Sequence, residues 1–563
     1  MYNMLSILAL RWITLLFKEG KPMIFCKSIN YLDKVFMDKE PTNELSHTSI
    51  LKGEMGHFQI AIMSDINDIV SKYSYTLEGN LKNHVKVYLV GFVPSKLPVN
   101  FDCDDYIINK KPGLYPDVLY PLDENDYFNL SPFSWESLFI ETDDNLEDGD
   151  YELTINIIEY NSKSKNSTTV KLTVINKEIE KNIIPITHWI YADCISDTYN
   201  VNPFSREFYD IFDKYIDKYV KYGSNMILTP IFTYALNVLD KRVRKTTQLV
   251  DIKYENNKYL FDYSKLDYFI DFCLARGIKH FEMSHLFTQW GALNAPKIII
   301  EKDGIIQDCF GWNVSSTSNE YIEFLKQFLP SLCNYFKNKK LDESKVYFHI
   351  SDEPSLASIE LYSKLKKIVK PLIGKYRLMD AMSNIEFADN GSVDIPVVKV
   401  DNAHLFKEKE YQYWIYYCCE HDKKYVTNRF MGMPLERERI LGIQLYLNDV
   451  QGFLHWGFNF YYTAFSEKLI NPFAITDCDQ KFPSGDAFLV YPDIKNKDVF
   501  LSLRLTTFYD SINDYYVLKM LEKKYSKQFV IDLIKAEGVD GFSIYPHSSK
   551  WLIEFRQKLN SLL

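Results

Sequence analysis

The sequence predicts an α/β protein: a TIM-type (β/α)8 barrel preceded by an N-terminal β-sandwich and followed by a helical C-terminal segment. Three observations carry this. Short period-two runs with polar turns fill the first third of the chain. From Pro185 onward, extended runs alternate with helical-period segments about eight times, which implies a parallel sheet of barrel length. Beyond residue 496 the apolar spacing is mainly helical. With 563 residues the chain is also too long for one compact core. The expected divisions are an extension over 1–22, a sandwich over 24–180, a barrel over 181–495 and a helical segment over 496–563.

Taken in order, residues 5–17 are apolar but too short to cross a bilayer. Arg11 interrupts them and no small-x-small cleavage site follows, so an amphipathic extension, or residues upstream of a start near Met23, is expected and not a membrane anchor, with a degenerate signal peptide as the alternative. The sandwich strands include His57–Ile62, Val85–Val90, Tyr151–Ile157 after the turn Asp148-Gly149-Asp150, and Val170–Val174. The barrel strands fall at 185–192, 225–232, 280–287, 345–351, 377–382, 396–401, 412–419 and 452–458. Between them, residues 205–222 place Phe208, Ile211, Phe212, Tyr215, Ile216 and Tyr219 on one helical face, and 319–336, 356–370 and 434–448 behave alike. The fifth and sixth units are weak, because 384–394 is short and polar. A doubly wound open sheet is the alternative. In the tail, Leu501, Leu503, Leu505, Phe508, Tyr515, Val517, Leu518 and Leu521 form an apolar helical face.

Composition excludes several function classes. The net charge of −10 is spread among interspersed acids and bases, so a nucleic-acid partner is not expected. The 41 Tyr and 38 Phe suit stacking on sugars, although a Lys/Asn/Tyr-rich sequence reads equally as AT-rich coding. Nine Cys, an odd number without metal spacing, argue against a disulfide framework and for a reducing, cytoplasmic compartment. No Gly-rich phosphate loop or Gly-x-Ser-x-Gly elbow occurs, and no cofactor is expected. His188, His285 and Asp193 lack a diagnostic metal spacing, so no metal is expected either.

The chemistry concentrates in one place. Val346-Tyr347-Phe348-His349-Ile350 reads as a buried strand, and Pro354 ends it just after Asp352-Glu353. Acids at the carboxyl end of a barrel strand face the usual site of catalysis. Neighbouring carboxyls repel, so one tends to keep a proton while the other ionises, a division that suits glycoside hydrolysis. The other strand ends supply His188, Trp189 and Asp193; His285 and Trp290; Asp380 and Ser383; Tyr416, Tyr417 and Glu420; and His455, Trp456, Asn459 and Tyr461. Rings, acids and amides together suit a sugar. His349 reads as a wall residue.

Two hydrolytic routes fit these residues. In double displacement, Glu353 is the acid/base and Glu420 the nucleophile, with carboxyls about 5–5.5 Å apart. In the other route the 2-acetamido oxygen of the substrate is the nucleophile. One carboxylic acid then protonates the leaving oxygen, its neighbour steadies the acetamido nitrogen, and Tyr416 is placed to hold the acetamido oxygen. Adjacent residues, with Cα atoms ~3.8 Å apart, suit the second route better. A non-catalytic glycan-binding barrel is the third reading.

Several stretches resemble glycoside hydrolase family 123. They are His188-Trp189 through Asp193-Cys194-Ile195, Phe281 through Gly291, His349 through Pro354, Met379-Asp380-Ala381, Tyr416 through Cys419, Gly452 through Tyr461, and Ser484 through Pro492. The resemblance spans about residues 115–525 and departs at Tyr509-Asp510-Ser511, where Arg and Gly types belong. It implies a sandwich, a barrel and an exo-acting, retaining β-N-acetylgalactosaminidase that cleaves terminal residues of glycosphingolipid-type glycans by acetamido assistance. Carried over, Asp352 is the stabiliser and Glu353 the general acid/base. His285, Tyr416, Trp456, Asn459, Asp193 and Trp290 are the expected substrate-binding residues.

Overall fold

The computed structural model describes residues 23–65, 71–181, 184–238, 244–420 and 424–563. The expectation for residues 1–22 lies outside them. Two compact units emerge: residues up to Val90 with Pro121–Lys177, and Gly91–Tyr120 with Glu178–Leu563.

The first unit is a β-sandwich. One antiparallel sheet runs through Ile24–Ile29, His57–Ser64, Glu136–Thr142 and the start of Val85–Ser95. The other runs through His47–Lys52, Lys165–Glu178, Gly149–Glu159, Lys72–Glu78 and Phe128–Asn129. Because alternate side chains share a face, Phe58, Ile60 and Ile62 of one sheet meet Leu153, Ile155 and Ile157 of the other in a single buried cluster.

The second unit is built on eight parallel strands: β1 Ile186–His188, β2 Met226–Thr229, β3 His280–Met283, β4 Val346–Phe348, β5 Arg377–Met382, β6 Ile395–Lys399, β7 Trp414–Tyr416 and β8 Phe453–His455. All eight fall in the predicted places. Ile186, Thr187 and His188 pair with Phe453, Leu454 and His455, so the sheet closes and the open-sheet alternative is excluded. Except for β5, which spans its whole predicted run, the strands are shorter than their apolar runs because the chain leaves the ladder early to form the loops above it. The helix Arg206–Lys221 buries the predicted face, and Ser205 starts it by accepting a hydrogen bond from the Phe208 amide. After β5 and β6 only the short helices Glu386–Asp389 and Ala403–Glu408 form, where the helical pattern is weak.

Two features depart from expectation. A four-stranded sheet, ordered Lys258–Asp262, Asp251–Glu255, Ile298–Lys302, Ile305–Phe310, grows from the loops after β2 and β3. Leu501, read as part of a helical face, sits in the strand Asp498–Ser502 and pairs with Leu119. The helix begins only at Leu503, because Ser502 caps it through the Leu505 amide. That helix, Leu503–Lys524, is followed by Lys527–Ala536 and Ser549–Ser561. Arg504 on its first turn grips both oxygens of buried Asp117 at 2.9 and 2.8 Å, and bonds the carbonyls of Gly485 and Phe488 at 2.7 Å. It thereby fixes the segment that carries Asp486. Among the described residues no helix is long and apolar enough to cross a membrane.

Candidate active site

Beyond β4 the chain runs through His349, Ile350 and Ser351 to the acid pair. In a regular strand adjacent side chains point to opposite faces. Here Glu353 adopts φ 45°, a left-handed conformation uncommon for a residue with a side chain. That turn breaks the alternation, and both carboxyls line one cavity of about 210 Å³ above the barrel. At ~30 Å³ per water this is room for about seven waters, the scale of one sugar ring. Neighbouring loops hold the turn: the Trp290 amide donates to the Asp352 carbonyl at 2.8 Å, and the Glu353 amide to the Ala381 carbonyl at 3.1 Å.

Burial and the mutual repulsion of the pair push Asp352 well above the usual carboxylate range. The Gln289 amide, donating to its Oδ2 at 2.8 Å, works in the opposite direction. The Gln289 carbonyl is fixed in turn by the Asn237 amide at 2.6 Å, so its NH2 group must face Asp352. Glu353, half-buried, is also raised by burial, less strongly, and its Oε1 accepts the Tyr416 hydroxyl at 2.7 Å. The pair is therefore poised to hold one proton between two carboxyls.

Beneath it lies a fully buried ionic layer. His349 Nε2 is 2.9 Å from Glu282 and Nδ1 is 3.0 Å from Asp380. Burial alone would depress this ring, but the two carboxyls outweigh it and hold its pKa up at about 9. His349 is thus an imidazolium under the acid pair, where its charge favours ionised Asp352. Asp380 also accepts from the Ile350 amide at 3.0 Å and from the Tyr362 hydroxyl. Glu282 accepts from Trp189 Nε1 at 3.2 Å and from the Thr187 hydroxyl. His349, read from sequence as a wall residue, is in the wall, but it links the acid pair to Trp189 in the pocket lining.

Three of the six expected binding residues line the cavity: Trp290, Tyr416 and Trp456. The Tyr416 hydroxyl is on Glu353 and not in open space. Trp456 is fixed from behind by Asp486, which accepts its Nε1–H at 2.8 Å and which burial raises to about 7. The other three stand behind the wall. Asp193 is fully buried with both oxygens held by Arg244 at 2.6 and 2.8 Å, inside a ring of Tyr191, Tyr234, Phe460 and Tyr462. Asn459, also fully buried, clamps the Tyr191 backbone, accepting its N–H at 2.7 Å and donating to its carbonyl at 3.2 Å. His285 is buried, stacked on His349 with ring centroids 4.4 Å apart. These three are correctly near the strand ends but turn inward, and strand-end position alone does not reveal that. Conversely, Gln289, Asn237, Tyr191 and Phe482 line the cavity without having been singled out. Cys418, Cys419 and Glu420 complete the β7 side, and all nine cysteines are free thiols.

His285, His349 and Asp380 are spaced so that one atom of each could meet at a metal ion. Both His349 nitrogens already face carboxyls, however, so an ion there would first have to break the His349–Asp380 contact. Glu420, the rival nucleophile, has an 80% exposed side chain and lies 3.8 Å from Lys399. A larger cleft of about 810 Å³ between the helices Arg206–Lys221 and Ser264–Leu274 contains none of the strand-end acids.

Residues 189–521 match the model of the glycoside hydrolase 123 catalytic domain. The chain belongs to glycoside hydrolase family 123. It is therefore a glycoside hydrolase by family, and the match runs from the β1 exit through β8 to the helix Leu503–Lys524. Among solved structures, this family 123 chain resembles a family 123 glycoside hydrolase from Clostridium perfringens studied for glycolipid glycan hydrolysis. The two share 15% identity over 96% of this chain and 98% of that one, with a TM-score of 0.72. At such identity the likeness speaks for the fold. A Parabacteroides merdae β-glucuronidase is 11% identical over 85% of this chain and 52% of its own, with a TM-score of 0.33, too slight a likeness to weigh. No curated protein sequence matches the chain.

Proposed function

We propose that this family 123 hydrolase is an exo-acting, retaining β-N-acetylgalactosaminidase working by acetamido assistance on terminal sugars of glycolipid-type glycans. The observation that carries the proposal is the pairing of two raised, adjacent carboxyls in one sugar-sized cavity, while the rival nucleophile Glu420, at the edge of the same cavity, keeps an 80% exposed side chain. An anionic nucleophile for double displacement works best desolvated against the anomeric carbon, and Glu420 is not.

In the proposed reaction, Glu353 donates its proton to the glycosidic oxygen as the C1–O bond breaks. Tyr416 occupies Oε1, which leaves Oε2 as the proton-bearing oxygen. The acetamido carbonyl oxygen bonds to C1, and the N–H of the acetamide turns to Asp352. Asp352 must be ionised then, so the single proton the pair shares moves to Glu353 before the bond breaks; His349 below, Gln289 beside it and the positive charge developing on the oxazolinium ring favour the charge on Asp352. Glu353, now a carboxylate, takes a proton from water as water attacks C1 from the face the leaving group vacated, which restores the β configuration. Trp456 and Trp290 supply apolar ring faces at the walls.

A panel of aryl β-glycosides tests the proposal: the N-acetylgalactosaminide, the N-acetylglucosaminide and the galactoside. Turnover of the first, weak turnover of its C4 epimer and none of the galactoside is the expected pattern. Turnover of the galactoside at a rate comparable to the N-acetylgalactosaminide would refute it, since no acetamide is present to react.

A further inference from the structure

We propose that Trp290, Leu293 and Leu356 form an apolar rim through which the enzyme docks on the lipid surface that presents its substrate. The proposal rests on the hydrolytic reading above and adds a partner for its outer edge. Trp290, Leu293 and Leu356 leave 42%, 62% and 45% of their area exposed. Single exposed apolar residues are ordinary, but these three crown the two loops that hold the acid pair. Trp290 lines the cavity, and its amide is bonded to the Asp352 carbonyl at 2.8 Å. Leu356 lies three residues beyond Glu353, in the 3-10 turn Leu356–Ser358. The loops touch: a Cβ placed on Gly291 would lie 3.5 Å from Ser358 Cβ and 3.9 Å from Leu293 Cγ. The rim is therefore continuous with the pocket from which a leaving group must emerge.

The backbone holds this shape at some cost. Trp290 and Ala292 take φ 64° and 57°, with Gly291 between them at 153°, and left-handed conformations are disfavoured for residues with side chains. The turn sends Trp290 and Leu293 outward while Ala292 stays buried.

The chemistry selects a lipid. Leucines offer no hydrogen bond to a second sugar ring, whereas a sugar subsite needs polar partners. Three side chains are too few for a stable protein interface, which buries ~800 Å² per partner. A shallow, reversible insertion into the boundary between headgroups and acyl chains strengthens with the apolar area buried and requires no interface of that size. The net charge of −10 repels anionic lipids, so a neutral surface is the fitting partner and the apolar rim must act without electrostatic help.

The test compares the parent enzyme with the double variant Leu293→Ser/Leu356→Ser, both sites being exposed. Each is given a glycolipid ending in β-N-acetylgalactosamine in phosphatidylcholine vesicles, and the same glycan free in solution. Expected is a fall in kcat/KM of about tenfold on vesicles with the soluble glycan turned over as by the parent. An equal fall on both would mean a sugar subsite, and no fall on either would mean an idle rim; each overturns the proposal. Should the parent turn over neither substrate, the hydrolytic reading fails on its own. Co-sedimentation with the same vesicles then decides the rim: the parent must bind and the double variant must bind less, and equal binding of the two overturns it.

Discussion

The ends of β4 and β7 carry the same kind of side chain on the same face of the barrel, and the structure treats them oppositely. At β4, Asp352 and Glu353 are drawn into a cavity over an imidazolium, and burial raises both. At β7, Glu420 reaches the edge of the same cavity but stands 80% exposed beside Lys399. A strand-end acid becomes a candidate catalyst through what surrounds it, not through its place on the barrel. Burial and a half-shared proton distinguish the first pair, while solvent screens the second.

The sharpest way to break this contrast is Glu353→Gln. Losing the general acid should lower kcat by about a thousandfold, and an aryl substrate with a very acidic phenol should recover much of it, because such a leaving group needs no proton. Asp352→Asn should cost about a hundredfold without that recovery, since its partner is the acetamide and not the leaving oxygen. If both variants respond alike to the leaving group, the division of roles between the two acids is wrong.

His349 sharpens the β4 side. Its folded pKa of about 9 lies above the ordinary 6.5, so the stability it confers is complete below pH 6.5 and disappears as pH rises through 9. Thermal unfolding should show a falling Tm across that window, and His349→Gln should flatten the fall while lowering Tm at pH 6, as expected when a buried ionic partner worth about 3 kcal/mol or more is removed. An unchanged slope would mean the ring is neutral. Gln289→Ala should have a smaller effect, about tenfold on kcat, with the acidic limb of the pH profile shifted upward because Asp352 loses a bond that favours its charge. The smallest effect belongs to β7: Glu420→Gln should change kcat by less than about twofold, and a large loss there would restore double displacement.

Much of this was legible in the sequence, and the exceptions have physical reasons. The eight strands are β-branched and aromatic runs buried on both faces, a signal that survives without any tertiary information. The pair Asp352-Glu353 was visible because Pro354 marks the strand exit. The small sheet was missed although its hairpin is written plainly: Asn256 and Asn257, at φ 50° and 61°, form the two-residue turn that joins Glu255 to Lys258. Asp193, Asn459 and His285 show the limit of strand-end logic. One step of rotation decides whether such a residue meets the cavity or the Arg244 guanidinium, the Tyr191 backbone and the His349 ring. Gln289 was invisible for the opposite reason. An amide acquires its role only from the Asn237 amide and the Asp352 carboxyl that fix it, residues far away in the chain.

The central claim is that the substrate, not Glu420, supplies the nucleophile. Inhibition by a galacto-configured thiazoline, a stable mimic of the bicyclic intermediate, tests it most directly. Tight competitive inhibition of N-acetylgalactosaminide turnover, weakened by Asp352→Asn, is the predicted result. Turnover that proceeds unaffected by the thiazoline would contradict the claim.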